Sequence, residues 1–276
     1  MPSNGLISPK KLERVIDRIR FGIRELLLRK VEIVSHCLSL QFICESRLEV
    51  FRVKTIFNKE PGTIDWLKKE IQDGDVFYDI GANIGLYAIF AGKIGKGNTK
   101  VVAFEPHARN FVSLTRNIVA NGLTEVVTPS SIALSDRTEV LPFRIAPGET
   151  GVSGSQLVIN SELKRTELHE IKLGTPIDAM IDSNWLPIPT LIKIDVDGLE
   201  LQILAGMKKL LAHKKKPRAI QIEINPGERI KIHDFMIEHG YRDDIVHFSA
   251  GGQRKLDRGR TIDQIAYNVI FRPEDP

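Results

Sequence analysis

Two stretches of this chain combine residue types and spacings suited to chemistry. In the first, the apolar run from Val76 to Tyr78 leads into Asp79, Gly81, Asn83 and Gly85, and a second apolar run, Val101 to Phe104, closes on Glu105, twenty residues beyond Gly85. An apolar run broken by glycines and followed by helical periodicity reads as strand, turn and helix, with a carboxylate at the tip of the next strand. Gly81 can take backbone angles closed to other residues, and Gly85 lets the turn approach a ligand or its own strand. Glu105 then stands where a bidentate acceptor could hold two ribose hydroxyls, while Asp79 would attract an ammonium or a sulfonium. In the second stretch, Lys193-Ile194-Asp195-Val196-Asp197-Gly198-Leu199-Glu200 crowds three carboxylates at a strand end. Their repulsion must be relieved by a cation, a retained proton or backbone amides.

The first spacing is not the GxGxxG of a dinucleotide site, and an anionic Asp79 would repel a diphosphate. A ligand offering a ribose, an ammonium and a sulfonium together is S-adenosylmethionine, so the turn reads as a methyl-donor site. The segment Ala133-Leu134-Ser135-Asp136 closes the third strand unit, where Asp136 or a neighbouring amide could meet an adenine edge; a plain turn is the alternative. Glu223 and Asn225 end the strand after the carboxylate cluster. Glu223 could act as general base on a substrate hydroxyl, with Asp195 and Asp197 beside it, or could merely pair with Lys193. For Asp197 and Glu200 the structural alternatives are a turn and a favourable place in a helix's first turn. Asp195, Asp197 and Glu223 could also hold Mg²⁺ or Ca²⁺, although no metal site is predicted. The seven histidines show no paired metal spacing. His107 is expected to cap or pack, and His169 is a secondary base candidate. No Gly-x-Ser-x-Gly elbow or P-loop is present, which removes the common hydrolase and NTPase readings.

Such residues need a scaffold that brings strand ends together. From Val76 the pattern alternates strands (76 to 80, 101 to 105, 126 to 128, 140 to 145, 190 to 195, 219 to 224, 265 to 271) with helices (near 85 to 94, 107 to 121, 199 to 212, 228 to 239). This predicts a mostly parallel α/β sheet covered on both faces. Ligands of such sheets lie outside the carboxyl ends of the strands. Upstream, residues 9 to 35 read as a basic amphipathic helix and 38 to 57 as extended. Thr63 reads as the cap of a helix through Trp66 to Gly74. The segment 146 to 175 is a long loop of functional length. The division expected is 1–60, a helix and extended segment, and 61–276, the donor-binding domain.

A content of 42% hydrophobic and 27% charged residues marks an ordinary folded protein, and Cys37 and Cys44 are too few for a disulfide framework. A reduced, cytoplasmic protein without export signal or spanning helix is expected. The net charge of +4 is mild for a nucleic-acid binder. The basic helix could cover the core, pair with another subunit, or touch a membrane surface.

Together these pieces resemble the FkbM family of S-adenosylmethionine-dependent methyltransferases. The matching motifs are VFYDIGANIGLYA, VVAFEPHARNFVSLTRNI, the ALSD turn, KIDVDGLELQILAGM and IQIEIN, spanning roughly residues 60 to 240. The resemblance implies a class I Rossmann-like sheet, mostly parallel with an antiparallel last strand and helices on both faces, and O-methylation as the usual activity. It implies that Asp79, Gly81, Asn83 and Gly85 hold the methionine end, Glu105 the ribose, Ser135 and Asp136 the adenine, and that Asp195 faces the reaction. Where the family often has Glu, Asp197 is one methylene shorter. The expected acceptor is a hydroxyl of a sugar, glycan or secondary metabolite. The alternatives are an RNA methyltransferase, weakened because Asn225-Pro226-Gly227 lacks the aromatic of an adenine-reading motif, and a catalytically silent cofactor-binding scaffold. A homo-oligomer is compatible with the sequence.

Overall fold

Seven short strands, the inner ones mostly apolar, line up in one sheet, and the computed structural model describes residues 12–19, 28–35, 38–95, 97–159 and 167–274. They are β3 (Val76–Ile80), β4 (Lys100–Phe104), β5 (Val127–Ser130), β10 (Leu191–Ile194), β11 (Ala219–Ile224), β12 (Tyr241–His247) and β13 (Tyr267–Pro273), in the order β12-β13-β11-β10-β3-β4-β5. β13 runs antiparallel between β11 and β12, and the strands from β11 to β5 are parallel. The chain leaves β3 towards β4 and β5, then returns on the other side of β3 as β10. That reversal opens a crevice at the carboxyl ends of β3 and β10.

Both faces of the sheet are buried along its inner strands, which explains why those strands do not alternate polar and apolar residues. On one face Phe77, Val101 and Ala103 pack with helices α2 (Arg47–Lys59), α3 (Pro61–Glu70), α4 (Leu86–Ile94) and α5 (Ala108–Ala120). The hairpin of β1 (Arg29–Ser35) and β2 (Leu38–Cys44) joins this core through Val31, Leu40 and Phe42. On the other face Tyr78, Val102, Phe104 and Ile192 pack with α6 (Ile177–Asp182), α7 (Glu200–Ala205), α8 (Lys208–Leu211) and α9 (Arg229–Glu238). A four-stranded side sheet, ordered β6 (Ala133–Leu134), β9 (His169–Thr175), β7 (Glu139–Arg144) and β8 (Gln156–Leu157), grows from the chain between β5 and α6.

Several expectations are corrected. The predicted helix 9 to 35 is helical over 12–19 (α1), but Arg29–Ser35 is a strand, because Val31 and Leu40 face the core across a hairpin; the stretches 9–11 and 20–27 lie outside the described residues. The extended segment 38 to 57 stops at Cys44. Ser46 then caps α2, its hydroxyl accepting from the Glu49 amide, and Val53 and Ile56 bury at helical spacing. Thr63 is no cap: it lies inside α3, fully buried, accepting from Gln221 Nε2 at 3.0 Å, while Pro61 opens the helix. The strand 140 to 145 belongs to the side sheet, and the loop 146 to 175 contains β8 and β9. The helix 199 to 212 breaks at Gly206, where a Cβ would lie 2.1 Å from the Ser135 carbonyl oxygen. Strand β12 went unread because its edge position leaves Arg242, Asp243 and Asp244 exposed. α10 (Ala250–Asp257) connects it towards β13.

Buried amides of α5 tie the hairpin and the glycine turn to one support. Asn117 accepts from the Ile43 amide at 2.8 Å and donates to the Ile84 carbonyl at 3.0 Å; Asn121 brackets Gln41 on both its amide and its carbonyl. Asn117→Ala leaves two buried backbone groups unpaired, each worth about 1–3 kcal/mol. A loss of about 2–5 kcal/mol in urea unfolding is expected, and a change under 1 kcal/mol would show that water replaces the amide.

Candidate active site

The turn after β3 is built by backbone geometry. Gly81 (φ 83°), Asn83 (φ 51°) and Gly85 (φ 91°) all take left-handed angles. The Gly81 and Ala82 amides both donate to the Phe104 carbonyl, at 3.0 and 2.9 Å, so the turn is clamped to the end of β4. A side chain at Gly81 would meet the Asp195 carbonyl oxygen at 2.0 Å, and one at Gly85 would meet Leu114 at 2.6 Å. Both glycines are therefore required by the protein's own packing. Glu105 fastens the turn from the other side: its carboxylate accepts from the Asn83 amide at 2.7 Å and the His107 amide at 2.9 Å.

Three adjoining clefts lie over this crevice. The central one, about 230 Å³, is polar and lined by Gly81, Asn83, Glu105, Asp195, Asp197 and Glu223, with Glu60, Arg52 and Lys59 from the α2 side. It exceeds the roughly 150 Å³ that admits a benzene. Beside Pro106 it opens into an apolar slot between Phe104, Ile132, Leu134, Phe143 and Leu157. Towards α4 it continues past Ala82, Leu86, Tyr87 and Lys193. The segment from Gly151 to Gly154 lies along it. Asn110 accepts from the Gly151 amide at 2.8 Å, Asn83 and Asn110 donate to the Val152 carbonyl, and the Gly154 amide donates to Asp197.

Six of the residues singled out in the sequence thus meet in one cleft, from the ends of β3, β4, β10 and β11. Four do not line it. Asp79 is fully buried beneath the turn, its Oδ1 3.8 Å from Lys193 Nζ. Gly85 caps α4 against Leu114. Ser135 is buried, and Asp136 is exposed beyond it; their neighbours Ala133 and Leu134 line the apolar slot instead. The sequence reading missed the slot, Glu60, and the cations Arg52 and Lys59. The helical spacing of 52, 56 and 59 was the available signal.

Lys193 answers the question of how the carboxylate cluster is tolerated. It is fully buried, 2.7 Å from Asp195 Oδ2, with its ammonium 4.8 Å from the centre of the Tyr87 ring. Burial opposes its charge, but Asp195, Asp79 and Glu60 outweigh burial and raise its pKa. Burial likewise opposes charge on Asp195, and Lys193 outweighs it, holding that carboxyl below its usual range. The other acids go the opposite way. Burial pushes Asp79 up to about 6, Glu105 to about 7, Glu200 to about 8 and Glu223 to about 9, and Asp195 and Glu60 add repulsion at Glu223. Among the described residues, no three His, Cys, Asp or Glu side chains converge as a metal-ligand group.

These raised values set a sign for stability. An unfolded carboxylate ionises near 4.5, while the folded groups keep their protons to higher pH, so the folded state binds more protons in between. Ligand-free protein is expected to lose thermal stability as pH rises from 6 to 9. Glu223→Gln should flatten that fall; a wild-type midpoint that climbs over this interval would refute it.

Residues 79–242 match the methyltransferase FkbM domain. The chain is also 30% identical to the hexuronic acid methyltransferase AglP of Haloferax volcanii, across 68% of this chain and 71% of that protein. The chain belongs to the FkbM methyltransferase family. It is a S-adenosylmethionine-dependent methyltransferase with the expected Rossmann-like architecture. A second FkbM relative, the 31-O-demethyl-FK506 methyltransferase of Streptomyces tacrolimicus, is 30% identical across 50% of this chain and 62% of that protein. Among solved structures, this one is similar to the methyltransferase FkbM of Methylobacillus flagellatus, with a TM-score of 0.47 and 16% identity over 80% of this chain and 60% of that one. The residues present suit S-adenosylmethionine: an apolar slot, a carboxylate in the adjoining cleft, and acidic residues for a cation. Among the described residues no helix is long and apolar enough to cross a membrane.

Proposed function

We propose that this chain transfers a methyl group from S-adenosylmethionine to a hydroxyl of a sugar, glycan or secondary metabolite. The observation carrying this reading is that Glu105, Asp195 and Glu223, from three different strand ends, line one cleft beside an apolar slot. Names of the relatives, a hexuronic acid methyltransferase and a 31-O-demethyl-FK506 methyltransferase, support oxygen of a small molecule or glycan as the target.

In this reading the apolar slot takes the adenine, with Ile132 and Leu134 against the ring, and Glu105 accepts from the ribose hydroxyls. The donor supplies an electrophilic methyl on a sulfonium. Asp195, kept anionic by Lys193, faces that positive charge. Glu223 takes the acceptor proton, since its raised pKa makes it a far better base than an ordinary carboxylate. Asp197 holds the segment around Gly154 over the cleft through its hydrogen bond. Alignment of the two substrates supplies most of the acceleration, up to roughly 7–11 kcal/mol.

The test is transfer of labelled methyl from S-adenosylmethionine to a panel of glycosides, uronic acids and polyketide alcohols, with the new bond located by NMR. Methyl on oxygen of at least one such acceptor is the expected result. Methyl found on nitrogen, carbon or nucleic acid would overturn the proposal.

A further inference from the structure

One wall of the central cleft carries two cations, and among the described residues one of them, Arg52, has no carboxylate partner. Helix α2 turns Arg52, Ile56 and Lys59 towards the clefts, at spacings of four and three residues that keep one helical face. Opposite them stand Asp195, Asp197 and Glu223. One terminal nitrogen of Arg52 donates to Ser153 Oγ at 2.5 Å, which fixes the guanidinium between α2 and the segment along the cleft. Its Nε is buried and has no hydrogen-bond acceptor. Among the described residues no carboxylate lies within 4.0 Å of Arg52, and Lys59 reaches only its neighbour Glu60, at 3.2 Å. An N–H left unanswered in a half-buried guanidinium is costly, and the planar fork of Arg suits a carboxylate.

We infer that Arg52, with Lys59 beside it, binds a substrate carboxylate in this cleft. The inference rests on the reading of the cleft as the methyl-transfer site. Two participants in that reaction offer the group. One is the α-carboxylate of the donor's methionyl end, whose ammonium would turn to the acidic wall opposite. The other is the carboxylate of an acid-sugar acceptor. A charge-assisted hydrogen bond is worth about 1.5–3 kcal/mol, which is roughly 10- to 150-fold in affinity.

Calorimetry on Arg52→Ala, Arg52→Lys and Lys59→Ala separates the sources. The two probes are S-adenosylhomocysteine and 5′-methylthioadenosine, which has the same nucleoside but no amino acid. If the donor supplies the carboxylate, Arg52→Ala weakens S-adenosylhomocysteine at least 10-fold and leaves methylthioadenosine unchanged, which also proves the variant folded. Arg52→Lys then restores part of the loss. If the acceptor supplies it, both nucleosides bind as in wild type, while glucuronic acid, used as acceptor or competitor, loses at least 10-fold relative to glucose. Changes under twofold in both arms overturn the inference, including the case where glucuronic acid is not recognised at all. Failure of wild-type protein to bind S-adenosylhomocysteine would instead overturn the reading of the cleft as a donor site.

Discussion

Glu105→Ala should weaken S-adenosylhomocysteine binding by at least about 10²-fold. Two losses combine. The carboxylate that would accept from the ribose disappears, and the Asn83 and His107 amides that it holds at 2.7 and 2.9 Å lose their acceptor, so the glycine turn keeps only its backbone clamp to the Phe104 carbonyl. Two charge-assisted hydrogen bonds at about 1.5–3 kcal/mol each account for that factor. Glu105→Gln should be almost as damaging, because one amide nitrogen would then face a backbone N–H donor. Burial pushes Glu105 up to about 7, so the acceptor form is incomplete in the empty protein below neutrality. Donor affinity is therefore expected to rise as pH increases through about 7 and then level. Calorimetry at pH 6 and 8 checks both points. Wild-type affinity in the alanine variant would remove Glu105 from the ribose role.

Glu223→Gln should lower the methyl-transfer turnover number by about 10² to 10⁴ while sparing S-adenosylhomocysteine affinity. Its carboxyl lines the cleft with Asp195 and Asp197, and burial, reinforced by repulsion from Asp195 and Glu60, pushes it up to about 9. A base must be deprotonated to work, so wild-type turnover should climb with pH towards 9. A bound sulfonium stabilises the carboxylate and moves the climb to lower pH. The glutamine variant should lose this dependence. If it keeps turnover within a few-fold and the same pH profile, the proton leaves by another route. Lys193 makes the assignment of roles chemically specific: it pairs with Asp195 and lies beside Asp79 under the turn, which leaves Glu223 without an ion-pair partner among the described residues and with the raised pKa that suits a general base once it is deprotonated.

Much of the fold was legible from local pattern. The strand, glycine turn and helix around Asp79 to Gly85 are encoded by contiguous residues, and a carboxylate at the end of the next apolar run needs only the regular β-α-β rise to reach the same edge. The KIDVDGLE and IQIEIN stretches announced themselves in the same way. Errors fell where local pattern is ambiguous or where burial departs from the usual rule. The spacings of two between Leu48 and Val50 and between Phe51 and Val53 read as a strand, while Val50, Val53 and Ile56 keep the helical spacing that Ser46, as a cap, decides. β12 carries charges because an edge strand can keep them wet. Gly85 reads as a close approach to a ligand or to its own strand, and the structure sets it against Leu114 of α5.

The sequence by itself determined the parallel sheet, the glycine turn and the carboxylates at its rim, since each depends on residues close in the chain and on the few ways strands and helices can connect. Only the tertiary structure decided which of those groups face solvent and which face each other. Asp79 was withdrawn beneath the turn, Lys193 was set against Asp195, and α2 and the side sheet contributed Arg52, Lys59, Phe143 and Leu157 from distant positions. Those juxtapositions follow from packing a whole core, whose long-range contacts leave no period or spacing to read along the chain.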